Sequence, residues 1–157
     1  MGVILDTSAV IGLVELDADR PGIVASVRQV GGDKRPAIHV VTLGELAAGV
    51  HRAVEQFGSG SVEANARQRT LDVAAGREAG GSGRPRLSTF DSDAATWGCF
   101  GEISGPMGRR ISNNDKWIVA AAIVNERVLI TQDQTLADRA GGIGVEVALV
   151  RRQPPDR

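Results

Sequence analysis

The residues with most chemical potential in this chain are the carboxylates Asp6, Glu45, Asp115 and Asp133. Asp6 directly follows the apolar run Val3-Ile4-Leu5, and Asp133 lies two residues beyond Val128-Leu129-Ile130-Thr131. Glu45 stands four residues after Ala37-Ile38-His39-Val40-Val41, in the first turn of a helix opened by Thr42. Asp115 sits in the first turn of a helix that Asn113 or Asn114 opens. In an open parallel sheet, ligand sites form beyond the carboxyl ends of the strands, near a switch in strand order. Three of the acids fall at that edge by position, and Asp115 joins them if its helix starts there. Carboxylates gathered at one place repel, so a proton or a cation must neutralise them. A hard divalent ion, Mg²⁺ or Mn²⁺, takes oxygen ligands and keeps water for substrate.

Each acid also has a plain structural reading. Thr42-Leu43-Gly44-Glu45 matches a capping box. Asp115 suits the positive end of a helix dipole, and Asp6 and Asp133 suit N-caps of short helices. The readings are compatible, because a carboxylate at a helix start can cap and still face a cleft. Thr7, Ser8 and Thr131 are placed to orient the acids by hydrogen bonds.

The elements that must hold these groups read as an α/β alternation. Strands are expected over residues 3–5, 37–41, 86–90, 128–131 and 145–150. The first, second and fourth are almost wholly apolar, as strands covered on both faces should be. Helices are expected over 8–16, from Pro21 to about Gly31, 42–57, from Val62 to about Glu78, from Asp91 through Trp97 and Phe100, and from Lys116 to Asn125. The last is apolar nearly all round, which predicts burial. Strands alternating with helices imply a parallel sheet.

Composition excludes several classes. A chain of 157 residues with 42% hydrophobic and 24% charged residues suits one globular domain and is not a disordered chain. The net charge of −1 supplies no global field toward nucleic acid, so any such binding is local. The lone Cys99 excludes an internal disulfide and a cysteine zinc finger. The opening residues lack the basic start of a secretory signal, and no run reaches the roughly 20 apolar residues of a membrane span, so a cytoplasmic location is expected. His39 and His51 lack a zinc-like partner spacing and read as structural. Trp97, Phe100 and Trp117 read as core. Gly141-Gly142-Ile143-Gly144 precedes a strand, so it is no dinucleotide fingerprint. Arg109-Arg110, leading into the Asp115 helix, are the best basic pair for a phosphate.

The motifs in order resemble one family. Val3-Ile4-Leu5-Asp6-Thr7-Ser8-Ala9 looks like the opening of a PIN-domain ribonuclease of the VapC toxin type. Thr42-Leu43-Gly44-Glu45-Leu46, Asn114-Asp115-Lys116-Trp117-Ile118-Val119-Ala120-Ala121-Ala122 and Leu129-Ile130-Thr131-Gln132-Asp133 resemble its later acidic motifs. The chain departs from the family at Trp117, Val119 and Leu136, which are packing changes, and in its Gly-rich stretch 76–86.

The resemblance implies a three-layer α/β PIN-like domain over residues 1–150, with a five-stranded parallel sheet and a frayed tail over 151–157. It implies a Mg²⁺- or Mn²⁺-dependent endoribonuclease toxin using Asp6, Glu45, Asp115 and Asp133, with Asp6 and Asp115 closest to the metal. A water nucleophile would leave 5′-phosphate and 3′-OH ends. The implied partners are RNA, a VapB-like antitoxin and a second copy of the chain, with no membrane. The apolar residues of the 8–16 helix suggest a groove for the antitoxin. Two other readings compete. A strand-end aspartate phosphatase wants an acid two residues after Asp6, where Ser8 stands, and a phospho-acceptor domain wants an acidic pair and a late lysine. A non-catalytic PIN-fold binding module does not need all the acids.

Overall fold

The computed structural model describes residues 1–77 and 86–154; most of the Gly-rich stretch 76–86 and the last three residues lie outside the described residues. The strands are β1 (Gly2–Leu5), β2 (Ala37–His39), β3 (Ser88–Phe90), β4 (Arg127–Thr131) and β5 (Val147–Leu149). They form one parallel sheet in the order β3-β2-β1-β4-β5. The helices are α1 (Thr7–Val14), α2 (Arg20–Gly31), α3 (Val40–Phe57), α4 (Val62–Ala74), α5 (Ala94–Met107), α6 (Asn113–Val124) and α7 (Gln134–Gly142). Helix α7 was foreshadowed only by the capping reading of Asp133.

The alternation of side chains along β1 builds the three layers. Ile4 points to one face with Ala37 and Leu129, where Ile103, Met107, Ile118, Ala121, Leu136 and Ala140 cover it from α5, α6 and α7. Val3 and Leu5 point to the other with Ile38, Val128 and Ile130, under Val10, Leu13, Ile23, Val27 and Leu46 from α1, α2 and α3. Each large aliphatic side chain taken wholly from water contributes about 2 kcal/mol. Helix α6 is buried as expected from Ile118 through Ala122.

From β1 the chain winds to β2 and β3 on one side, then returns to β4 and β5 on the other. The reversal falls between β1 and β4, where Leu5 is in register with Ile130. Asp6 N–H continues the ladder by donating to Ile130 C=O at 3.1 Å. The switch point of the parallel sheet, where sites form in such folds, therefore lies at the carboxyl ends of β1 and β4, beside Asp6 and Thr131.

Several boundaries differ from the sequence expectation. Strand β2 stops at His39, and Val40 and Val41 enter α3 instead, because the His39 imidazole is the N-cap and accepts from Val41 N–H. Helix α5 is capped by Asp93, whose carboxylate accepts from Thr96 N–H, so Asp91 does not open it. Ser112 caps α6, accepting from Asp115 N–H, so neither Asn113 nor Asn114 does. Trp97 is 60% exposed and outside the core, whereas Trp117 stacks on Phe100 at 4.1 Å between ring centroids. The tail is tied at Gln153, whose N–H donates to Asp19 at 2.7 Å.

Candidate active site

Asp6 caps α1 by accepting from Ala9 N–H at 2.8 Å, and it is buried to 2% exposure. Two hydroxyls hold its carboxylate. Ser8 Oγ donates to it at 2.8 Å, and Thr131 Oγ1 donates to Oδ2. Each hydroxyl also accepts an amide from the loop after β4: Gln132 N–H reaches Ser8 Oγ at 3.1 Å, and Asp133 N–H reaches Thr131 Oγ1 at 2.9 Å. The loop that carries Asp133 is thereby bolted to the carboxylate of Asp6. Helix α1 approaches that loop closely at Gly12, where a Cβ would lie 2.5 Å from Gln132 Oε1. A side chain there would have to displace the ends of the Gln132 and Ile23 side chains, Ile23 Cδ1 lying 2.7 Å from the same point.

Asp133 caps α7, accepting from Leu136 N–H at 3.1 Å, and is exposed to solvent. Asp115 lies in the first turn of α6 and accepts from Ser112 Oγ at 2.7 Å. Helices α1, α6 and α7 thus present their N-termini to the acids, and their dipoles favour anions there.

Glu45 is not in a capping box. Helix α3 starts two residues earlier than Thr42, which is fully buried inside it, so Glu45 falls in the second turn. Its carboxylate is shared by two other elements. Thr7 Oγ1 donates to Oε2 from α1, and Asn114 Nδ2 donates to Oε1 at 3.0 Å from α6. Asn114 therefore positions an acid, a role its spacing did not reveal.

The electrostatics join these groups. Burial pushes the Asp6 carboxyl up from 3.8 to about 6, against the pull of Thr131, Ala9 and Ser8. The charge of Asp115 adds to the rise. Asp115 is itself raised, first by burial and then by the charges of Glu45 and Asp133. Asp115 is thus the acid that feels each of the other three. Among the described residues, however, no three His, Cys, Asp or Glu side chains come together as a group that could hold a metal ion. The donors are all oxygen, and among the described residues none of the four acids has an ion-pair partner. That chemistry fits a hard cation that completes its shell with water and phosphate.

Two cavities flank Glu45. One of about 370 Å³ lies toward α4, lined by Thr7, Ile11, Leu46, Arg52, Phe57 and Arg67 among others. The other, about 400 Å³, lies toward α6, lined by Val41, Gly44, Ala48, Arg52 and Asn114 with Glu45. Arg52 belongs to both and was missed in the sequence; its signal was a spacing of seven residues from Glu45, two helical turns on one face. Arg109 and Arg110 are exposed just before α6. His39 is buried and held by its cap, by Ser92 at 3.2 Å and by parallel stacking on Trp117. His51 is exposed, and Cys99 packs against the core beside Phe100.

Helix α1 does not carry the apolar surplus its composition suggested. Ala9, Val10, Leu13 and Val14 are buried against the sheet and α2, Ile11 is half-buried against the same core, and Leu16 is exposed. Leu13 is fully buried, so it belongs to the core and lines no groove.

A family model described as PIN domain matches residues 3–142. No curated protein matches the chain. Among solved structures, VapBC2 from Rickettsia felis, bound to a DNA fragment from its promoter, is similar at 21% identity and a TM-score of 0.68, covering 95% of this chain and 98% of that one. VapBC-1 from nontypeable Haemophilus influenzae is similar at 24% identity and 0.66, with 95% and 98% covered. VapBC-5 from Mycobacterium tuberculosis, a member of the VapBC family of toxin–antitoxin systems, is similar at 25% identity and 0.63, with 96% and 98% covered.

Proposed function

The chain belongs to the PIN-domain family, and from that premise we propose that it is a VapC-like toxin, an endoribonuclease dependent on Mg²⁺ or Mn²⁺ and neutralised by a VapB-like antitoxin. The observation that carries the reading is the buried Asp6, held by Ser8 and Thr131, its carboxyl raised first by burial and, least, by the charge of Asp115. A structural cap alone needs no second acid beside it. A non-catalytic module would have no use for a carboxylate kept so far from its ordinary state, since buried charge costs stability.

Asp6 and Asp115 would hold the cation directly, with Asp133 and Glu45 completing the shell, some through water. When bound, the ion supplies Lewis-acid chemistry, acidifying water and offsetting charge on the scissile phosphate. Ser8 and Thr131 fix the direction of the Asp6 oxygens. Thr7 and Asn114 fix Glu45 from opposite sides, which sets its reach toward Asp115. Arg109 and Arg110 are placed to meet RNA phosphates on the α6 side. Water, not a ribose hydroxyl, attacks phosphorus, and the ends are 5′-phosphate and 3′-OH. Among the described residues, no helix is long and apolar enough to cross a membrane.

The similarity to VapBC-5, a member of the VapBC family of toxin–antitoxin systems, supports a small antitoxin partner encoded beside this chain; the toxin is read as a homodimer from the family resemblance. Ile11 lines the cavity that also holds Thr7 and Glu45, so an apolar antitoxin segment there would lie against the acids. An antitoxin arginine would then pair with them. Co-purified with the adjacent gene product, the protein should lose RNA cleavage in stoichiometric proportion. Ile11→Glu should weaken that inhibition while the protein stays folded. Full activity with the partner bound would end the toxin–antitoxin part of the reading and leave the nuclease part standing.

A further inference from the structure

Arg52 and Arg67 both enter the cavity on the α4 side of Glu45, but they differ in charge balance. Arg67 is neutralised by an ion pair with Glu15, which also accepts from Thr70 at 2.8 Å. Among the described residues, Arg52 has no carboxylate within ion-pair distance. Its guanidinium lies over Gly49, where a Cβ would stand 3.9 Å from Nη2. The absence of a side chain at Gly49 leaves that position open. Arg52 also lines the second cavity, on the α6 side, so one cation borders both openings beside Glu45.

Helix α3 therefore carries a cation that has no ion-pair partner among the described residues, two turns from one of the acids. That separation is about 10 Å along the helix axis, and the arginine side chain shortens it. A strand of RNA laid over the acids brings further negative charge to an already acidic edge. A net charge of −1 gives no general attraction to offset this, so the phosphates beside the scissile one need a local cation. The planar guanidinium fork matches phosphate oxygens in pairs.

We infer that Arg52 is a substrate-positioning residue that binds an RNA phosphate flanking the scissile one, as the strand crosses α3 from one cavity to the other. This rests on the nuclease reading above. A phosphate contact of this kind carries no base information, so its effect is uniform across sequences. It acts on binding and leaves the chemistry at the acids unchanged.

The test uses the full chain and Arg52→Ala, with Arg52→Lys as the conservative variant. Alanine is a strong helix former, and the site is exposed, so folding is preserved; circular dichroism checks this. Binding of a fluorescein-labelled single-stranded oligoribonucleotide is measured by anisotropy in EDTA, where nothing is cut. Cleavage is then measured with Mg²⁺. Arg52→Ala should raise Kd and KM about five- to tenfold, leave kcat within about twofold, and lower the slope of log K against log salt by about 0.7. Arg52→Lys should restore most of the slope. Unchanged Kd and salt slope in Arg52→Ala would overturn the inference. So would a variant whose only defect is weaker inhibition by the antitoxin, which would assign Arg52 to the protein partner. If Arg52→Ala weakens RNA binding but the wild type cuts no RNA, the phosphate contact stands and the nuclease reading fails. If the wild type cuts RNA and Arg52→Ala matches it, the reading stands and this inference fails.

Discussion

Asp6→Asn should reduce RNA cleavage about a thousandfold or more and, in the same protein, flatten the pH dependence of stability. The first effect follows from removing the acid proposed to hold the cation, which Ser8 and Thr131 orient. Losing about 4 kcal/mol of transition-state stabilisation corresponds to three orders of magnitude in rate. The second follows from proton linkage. The Asp6 carboxyl is raised from 3.8 in an unfolded-like environment to about 6 in the fold. The folded state binds the proton more tightly, so Asp6 supports folding fully below about 3.8. That support is lost as the pH rises and is gone above about 6. The interval corresponds to about 3 kcal/mol at most. Asparagine cannot titrate, so the stability of the variant relative to wild type should rise by about 2 kcal/mol from about pH 4 to about pH 7. Urea denaturation of both proteins in metal-free buffer across that range reads the difference. Parallel curves would show that Asp6 titrates as an ordinary exposed carboxylate.

Mn²⁺ should stabilise the wild-type protein strongly and Asp115→Asn weakly. A ligand that binds only the folded state adds RT ln(1+[L]/Kd), about 2.7 kcal/mol at one hundred times Kd. Here the gain has a definite source. Glu45 and Asp133 both raise the Asp115 carboxyl, and a cation among them replaces repulsion with attraction. The proton and the metal compete for Asp6, so the metal-induced rise should shrink as the pH falls through about 6. Thermal unfolding with and without Mn²⁺, for wild type and Asp115→Asn, measures it. A variant with the wild-type response would remove Asp115 from the metal site.

The acids, the parallel α/β order and the apolar strands were legible because they depend on residue type and spacing alone. Asp6 and Asp133 were readable both as caps and as site residues, and in the structure both are N-caps. Other features depended on partners distant in sequence. Histidine is not among the preferred N-caps, and Val40-Val41 favours a strand, so the early start of α3 was hidden. It depends on His39 meeting Ser92 and Trp117, 53 and 78 residues away. The capping-box pattern at Thr42 was locally sound. It failed because Thr7 and Asn114 take the Glu45 carboxylate instead. The apolar side chains of α1 looked excessive because its burial on both α2 and the sheet is a property of the layers, which no local window reports. Arg52 carried only its spacing of seven residues from Glu45, which places the two on one helix face but does not show that, among the described residues, Arg52 meets no carboxylate.

The measurement that tests the central claim most directly is end analysis of RNA cut by the purified protein with Mg²⁺, beside EDTA and Asp6→Asn controls. The account predicts internal cleavage that leaves 5′-phosphate and 3′-OH ends, stops in EDTA and is absent in Asp6→Asn. Products ending in a cyclic phosphate, or cleavage that persists in EDTA or in Asp6→Asn, would contradict it.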